Sequence, residues 1–238
     1  MIKKERIVFF GDSLIEGAYG VTYVDEIKKY SGADRFEITN AGKAGNTSWN
    51  LLARIDQDVL NMAPTVVIVQ IGGNDFLTVH LPLQGLIRRF GKMQRKCPIT
   101  PEIFHENYER ILDKLESRPE MRVLCVVTPT PGENPYSSID KLFSSYMDVV
   151  RDAAHERGLT LVDFNTPFLE SLRKEEGSRD YSFLRCLYSY IMVRLFRSDP
   201  ERVAARQGLK LTFDTLHPNR KGAQLLARTL AAELKMDG

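Results

Sequence analysis

Cysteine is scarce: Cys97, Cys125 and Cys186 form no CxxC pair and leave an odd count. That pattern points to reduced structural thiols and away from a zinc site. Charge of one sign is equally lacking, because 33 Lys and Arg face 31 Asp and Glu for a net +2, which gives no ground for a nucleic-acid partner. Long apolar runs are missing too. The first, Ile7 to Phe10, stops at Gly11-Asp12, short of a signal-peptide core. Tyr181 to Phe196 is interrupted by Arg185 and Arg194, short of the roughly 20 residues that span a bilayer. No membrane insertion and a cytoplasmic location are the expectation. Repeats and low-complexity tracts are absent, and Gly42-Lys43-Ala44-Gly45-Asn46-Thr47 lacks the GxxxxGK[ST] spacing of a phosphate loop. What is present, 43% hydrophobic and 27% charged residues over 238 positions, suits one globular domain spanning residues 1–238.

Short apolar runs alternate with longer helical patterns. Arg6 to Phe10, Phe36 to Thr39, Thr65 to Ile71, Arg122 to Val127 and Thr160 to Val162 read as buried strands. Val21 to Tyr30, Ser48 to Met62, Pro101 to Ser117, Ser138 to Arg157 and Asn219 to Lys235 carry apolar residues at helical spacing. The alternation predicts an α/β fold, a parallel sheet covered on both faces. Right-handed crossovers then bring every strand's carboxyl end to one edge, where such folds place their sites. Two segments exceed what the connections need, Phe76 to Thr100 and Phe164 to Phe213. Insertions at that edge commonly form lids or walls. The second contains Phe183, Leu184, Leu187, Tyr188, Ile191, Leu195 and Phe196 at helical spacing, an amphipathic helix expected to cap the site, contact a second copy or pack on its own domain.

Four stretches bring chemistry to that edge. Ser13 follows the first strand, where a strand-to-helix turn exposes a hydroxyl and aims nearby N–H groups at one point. By its residue type alone it reads equally as a helix cap. Gly45, after the second strand, lets a carbonyl approach its backbone N–H, although taken singly it reads first as a turn glycine. Asn74 follows Gly72-Gly73 at the end of the third strand and offers a neutral amide donor, whereas the charge of Asp75 would repel an oxyanion. His217, ahead of Pro218 and the last helix, is the candidate base, and Asp214 three residues earlier can fix its tautomer. Asp152-Ala153-Ala154-His155 repeats that spacing inside a helix, where both side chains are expected in solvent. His80 and His105 are expected at the surface. Thr128-Pro129-Thr130-Pro131 leaves the fourth strand at the same edge and is expected to form a wall.

Phe9-Phe10-Gly11-Asp12-Ser13-Leu14, Asn40-Ala41-Gly42-Lys43-Ala44-Gly45-Asn46-Thr47, Gly72-Gly73-Asn74-Asp75 and Asp214-Thr215-Leu216-His217-Pro218 together resemble the four blocks of the SGNH, or GDSL, hydrolases, a family of GDSL-like lipases and acylhydrolases. The blocks stand in that family's order and cover nearly the whole chain. The resemblance implies a three-layer α/β/α, flavodoxin-like fold with five parallel strands. It also implies Ser13 as nucleophile, His217 as base then acid and Asp214 as orienting carboxylate, with an oxyanion hole of the Ser13 and Gly45 N–H groups and the Asn74 side chain. The expected function is a serine esterase cleaving a carboxylic ester or thioester, with no metal or organic cofactor required. An acyltransferase using the same residues and a non-catalytic binding module are the alternatives, and the expected partner is a small acyl ester. Arg88, Arg89, Lys92, Arg95 and Lys96 in the first long segment read as a solvated charge run, or as an anion contact. Oligomeric state is left open.

Overall fold

In the computed structural model, which describes residues 4–17, 21–80, 98–174 and 179–236, the apolar runs become β1 (Glu5–Gly11), β2 (Phe36–Gly42), β3 (Val66–Gln70), β4 (Arg122–Val127) and β5 (Thr160–Asp163). All four pairings are parallel, in the order β2-β1-β3-β4-β5. This is the flavodoxin-like order, with its switch point between β1 and β3. Central β3 is Val66-Val67-Ile68-Val69-Gln70, buried along its whole length because helices cover both faces.

Side-chain alternation divides the core into two layers. Phe10, Val67, Val69 and Cys125 face α3 (Ser48–Asp58), α5 (Pro101–Glu116) and α6 (Ser138–Glu156). Ile7, Phe9, Ile68 and Val126 face α2 (Tyr23–Ile27) and α10 (Arg220–Glu233). Among the described residues the remaining α-helices are α1 (Ser13–Glu16), α4 (Gly73–His80), α7 (Asn165–Arg173), α8 (Phe183–Arg194) and α9 (Pro200–Gln207). Thr100 caps α5 with Pro101 at its first position, and Arg157 just past α6 pairs with Glu109, Asp113 and Glu116 of α5. No helix of the described residues is long and apolar enough to cross a membrane.

Helix ends differ from the periodic reading in two places. The helix read over Val21 to Tyr30 is α only from Tyr23 to Ile27, because Lys29 and Tyr30 donate three residues back and tighten the last turn. The pattern read through to Met62 breaks after Asp58 into a separate 3-10 turn, Leu60–Met62.

The long segments are also partly resolved into elements. Phe76 belongs to α4, not to an insertion, while residues 81–97, with the five basic residues and Cys97, lie outside the described residues. The described residues between Phe164 and Phe213 include α7, α8 and α9. The apolar stripe of α8 is not its packing face: Leu184 is 73% exposed, and Leu187, Tyr188, Leu195 and Phe196 are exposed as well. Ser189 is the buried residue of the helix, its Oγ donating to the Phe213 carbonyl at 3.1 Å. Cys186 Sγ donates to the Asp214 carbonyl at 2.9 Å. Thus α8 docks by hydrogen bonds to a loop whose carbonyls need donors, and by Val193, which packs against Ala204, Leu209 and Phe213.

Candidate active site

At the end of β1 the Asp12 carboxylate accepts the Leu14 N–H at 3.0 Å and so caps the single turn of α1. Asp12 takes the capping position, which leaves the hydroxyl of Ser13, the first residue of α1, free for other partners. Beyond β2, Gly45 has φ 76°, and a Cβ built there meets nothing within 4 Å. Its N–H and that of Ser13 have no protein acceptor among the described residues. Beyond β3, Asn74 lies in the first turn of α4, its Nδ2 donating to the Asn46 carbonyl at 2.9 Å and to Asp12 Oδ2 at 3.3 Å. The amide therefore ties the first two strand ends together.

The last loop completes the cluster. Asp214 Oδ1 accepts the N–H groups of Leu216 at 2.9 Å and His217 at 2.6 Å, which fixes the carboxylate. Its Oδ2 stands 2.7 Å from His217 Nδ1, and His217 Nε2 stands 2.9 Å from Ser13 Oγ. With the carboxylate taking the Nδ1 proton, the Nε2 lone pair faces the serine hydroxyl. His217 is 8% and Asp214 3% exposed, so their attraction acts at low effective dielectric. Burial pushes the imidazole pKa down, but the Asp214 charge and hydrogen bond, helped by Asp12, outweigh it and hold the group above its ordinary value.

Two further carboxyls shape the site from beneath. Burial raises Asp12 to about 6 against the lowering effects of the Leu14 N–H, His217 and Arg54. Burial likewise raises Asp75 to about 7, although Ser48 donates to it through N–H at 3.0 Å and Oγ at 2.6 Å. Asp75 thus points at the start of α3 while its neighbour Asn74 points at the cleft. Ser13, Leu14, Asn74, Leu77, Thr128, Pro129, Pro131 and Leu216 line that cleft, so the segment after β4 does form a wall.

The structure brings Ser13, Gly45, Asn74, Asp214 and His217 to one edge of the sheet and leaves the other histidines away from it. His155 and Asp152 are exposed on α6, His105 is exposed on α5, and His80 stacks on Phe76 with ring centres 4.5 Å apart. One group carries no signal in the sequence. Arg54 of α3 donates to the Gly11 carbonyl at 2.7 Å, the Ala41 carbonyl at 2.8 Å, Asn46 Oδ1 at 2.7 Å and Asp58 at 2.7 Å, and lies 4.5 Å from the Phe10 ring centre. It joins the loops bearing Ser13 and Gly45. Because its main-chain partners come from other strands, helical spacing could not single it out from the exposed arginines.

A hydroxyl, an imidazole and a carboxylate in series, beside two free N–H groups and an amide, form a constellation suited to acyl transfer. Residues 9–225 match the GDSL-like lipase/acylhydrolase family. The chain belongs to that family. This GDSL-family chain is accordingly an ester-hydrolysing enzyme of SGNH type. It is 25% identical over 250 residues to an acetylxylan esterase of Geobacillus stearothermophilus, a match covering 97% of this chain and 94% of the other. Its fold is shared with the crystal structure of an acetyl xylan esterase, with a TM-score of 0.71 and 22% identity over 96% of this chain and 99% of the other. An α/β hydrolase from the metagenome of Lake Arreo, Spain, superposes with a TM-score of 0.68 and 22% identity over 98% of this chain and 95% of the other.

Proposed function

We propose that this enzyme cleaves carboxylic esters through an acyl-enzyme on Ser13. The observation that carries the reading is the unbroken series from Asp214 through His217 to Ser13, with contacts of 2.7 and 2.9 Å. Ser13 Oγ attacks the ester carbonyl as its proton passes to His217 Nε2, and Asp214 stabilises the imidazolium. Negative charge on the former carbonyl oxygen is met by the N–H groups of Ser13 and Gly45 and by Asn74 Nδ2. The imidazolium returns its proton to the leaving alcohol. Water, deprotonated by the same imidazole, then releases the acid and restores the serine.

The substrate class we favour is a short acyl ester, in particular an acetyl group on a saccharide. Its support is the likeness to acetylxylan esterases together with a cleft walled by Leu14, Leu77, Pro129, Pro131 and Leu216. Hydrolysis of p-nitrophenyl esters of increasing chain length, alongside acetylated xylo-oligosaccharides, tests it. Preference for acetyl over octanoyl esters is expected, and the reverse preference would overturn the assignment. In the same assays Ser13→Ala abolishes turnover and phosphonate labelling while the fold stays intact. Asn74→Ala lowers kcat by about 10² to 10³. Full activity in folded Ser13→Ala protein rules out the mechanism.

A further inference from the structure

Asp214 and His217 sit on a loop, and loop-borne groups keep catalytic geometry only when other residues fix them. Glu133, in the turn after β4, is 1% exposed. Its Oε1 accepts the Leu211 N–H at 2.8 Å, the Thr212 N–H at 2.6 Å and the Thr212 hydroxyl at 2.7 Å. Its Oε2 accepts the Lys210 N–H at 2.7 Å. All four donors come from three consecutive residues, the last of them two positions before Asp214. Lys210 to Thr212 lies outside the helices and strands, so the carboxylate supplies acceptors that a neighbouring strand would otherwise provide.

The preceding residue holds the loop on its far side. Gly132 N–H donates to the Thr215 carbonyl at 2.7 Å. Thr215, fully buried between Asp214 and Leu216, has φ 75°, a left-handed conformation that a β-branched residue keeps only when its surroundings impose it. Ser182 N–H adds a second restraint, donating to Thr215 Oγ1 at 3.2 Å. Glu133 is anchored in turn, its N–H donating to the Arg179 carbonyl at 2.6 Å.

We infer that Glu133 is a positioning residue for the Asp214–His217 pair, setting the loop so that the imidazole meets Ser13 at hydrogen-bond distance. The inference rests on the roles proposed above for those three residues. Glu133 is not among the residues lining the cleft, so its loss acts on kcat and not on substrate binding. Small displacements of reacting groups cost up to about 10² in rate.

Glu133→Gln keeps the size of the side chain but replaces one acceptor oxygen by an NH₂ that opposes the loop's N–H donors. We expect kcat to fall about 10- to 100-fold with KM nearly unchanged. The acidic limb of the kcat/KM profile moves to lower pH as the Asp214 contact that raises His217, with its lesser support from Asp12, loosens. Thr212→Val deletes one of the four donors, the hydroxyl, and is expected to reduce kcat about two- to fivefold. His217→Ala serves as the control for the underlying roles: if it keeps wild-type kcat, the base assignment fails irrespective of Glu133. If His217→Ala is inactive while folded Glu133→Gln keeps both kcat and pH profile, the positioning role is overturned. Should Glu133→Gln not fold, an unchanged kcat and profile in folded Thr212→Val overturns it instead.

Discussion

His217 is pulled two ways, since burial favours its neutral form and Asp214, 2.7 Å away, favours its charged form. Asp214 prevails, with a consequence for the pH profile. In the proposed mechanism His217 works as a base only when neutral, so activity should be lost as pH falls through the raised pKa of the imidazole. Asp214→Asn removes the raising charge and leaves burial, and the acidic limb of kcat/KM should therefore move to lower pH. The same change loosens control of the tautomer and should lower kcat by about 10³- to 10⁴-fold. A pH–rate series on both proteins checks the two effects separately. Ser13, Gly45, Asn74 and His217 could be read from the sequence because each stands at a strand end or a loop next to a glycine or proline. Arg54 and Glu133 could not, because each depends on main-chain groups far away in sequence: Glu133 and Lys210 lie 77 positions apart, Arg54 and Gly11 43.

At the scale of elements, the contact of β2 with α1 positions Ser13, the proposed nucleophile. A Cβ on Gly42 would lie 2.3 Å from the Glu16 nitrogen and 2.9 Å from the Asp12 carbonyl, both backbone atoms that cannot swing aside. Gly42→Ala should consequently push α1 off the sheet, costing about 1–3 kcal/mol and lowering kcat through displacement of Ser13. Urea unfolding and kinetics on the one variant measure both. Hydrophobic periodicity identified the five strands and the helices that cover them, since those elements bury the residues that set the period. For α8 the period was right, and of the three readings of its stripe the exposure of Leu184, Leu187 and Tyr188 disfavours packing on its own domain. A repeat of apolar residues marks a helix, but whether that stripe meets the core depends on what the fold places opposite it, and here Ser189 and Cys186 face the loop instead.

Across the whole molecule, two carboxyls near the centre link stability to pH. Asp75 titrates at about 7 and Asp12 at about 6, each raised chiefly by burial, against 3.8 in the unfolded chain. Between those limits the folded state keeps protons that the unfolded state has released, so stability falls as pH rises from about 4 to 7. Asp75→Asn, whose side-chain oxygen still accepts from Ser48, should lose less of its Tm across that window than the wild type. Thermal unfolding at the two ends measures the difference, and an identical loss in both proteins would count against a folded-state pKa near neutrality. These shifts were not legible in the sequence, because burial of Asp75 arises only when α3 closes over the β3 end.

Ser13 and His217 meet across 204 positions of sequence, through a contact of 2.9 Å. During synthesis the hydroxyl leaves the ribosome as an ordinary alcohol, long before the imidazole has been translated. On the proposed mechanism, reactivity of Ser13 waits for completion of the sheet and docking of the last loop. Under that mechanism recovered turnover reports finished folding, and a chain cut short before residue 214 lacks both the proposed base and its orienting carboxylate.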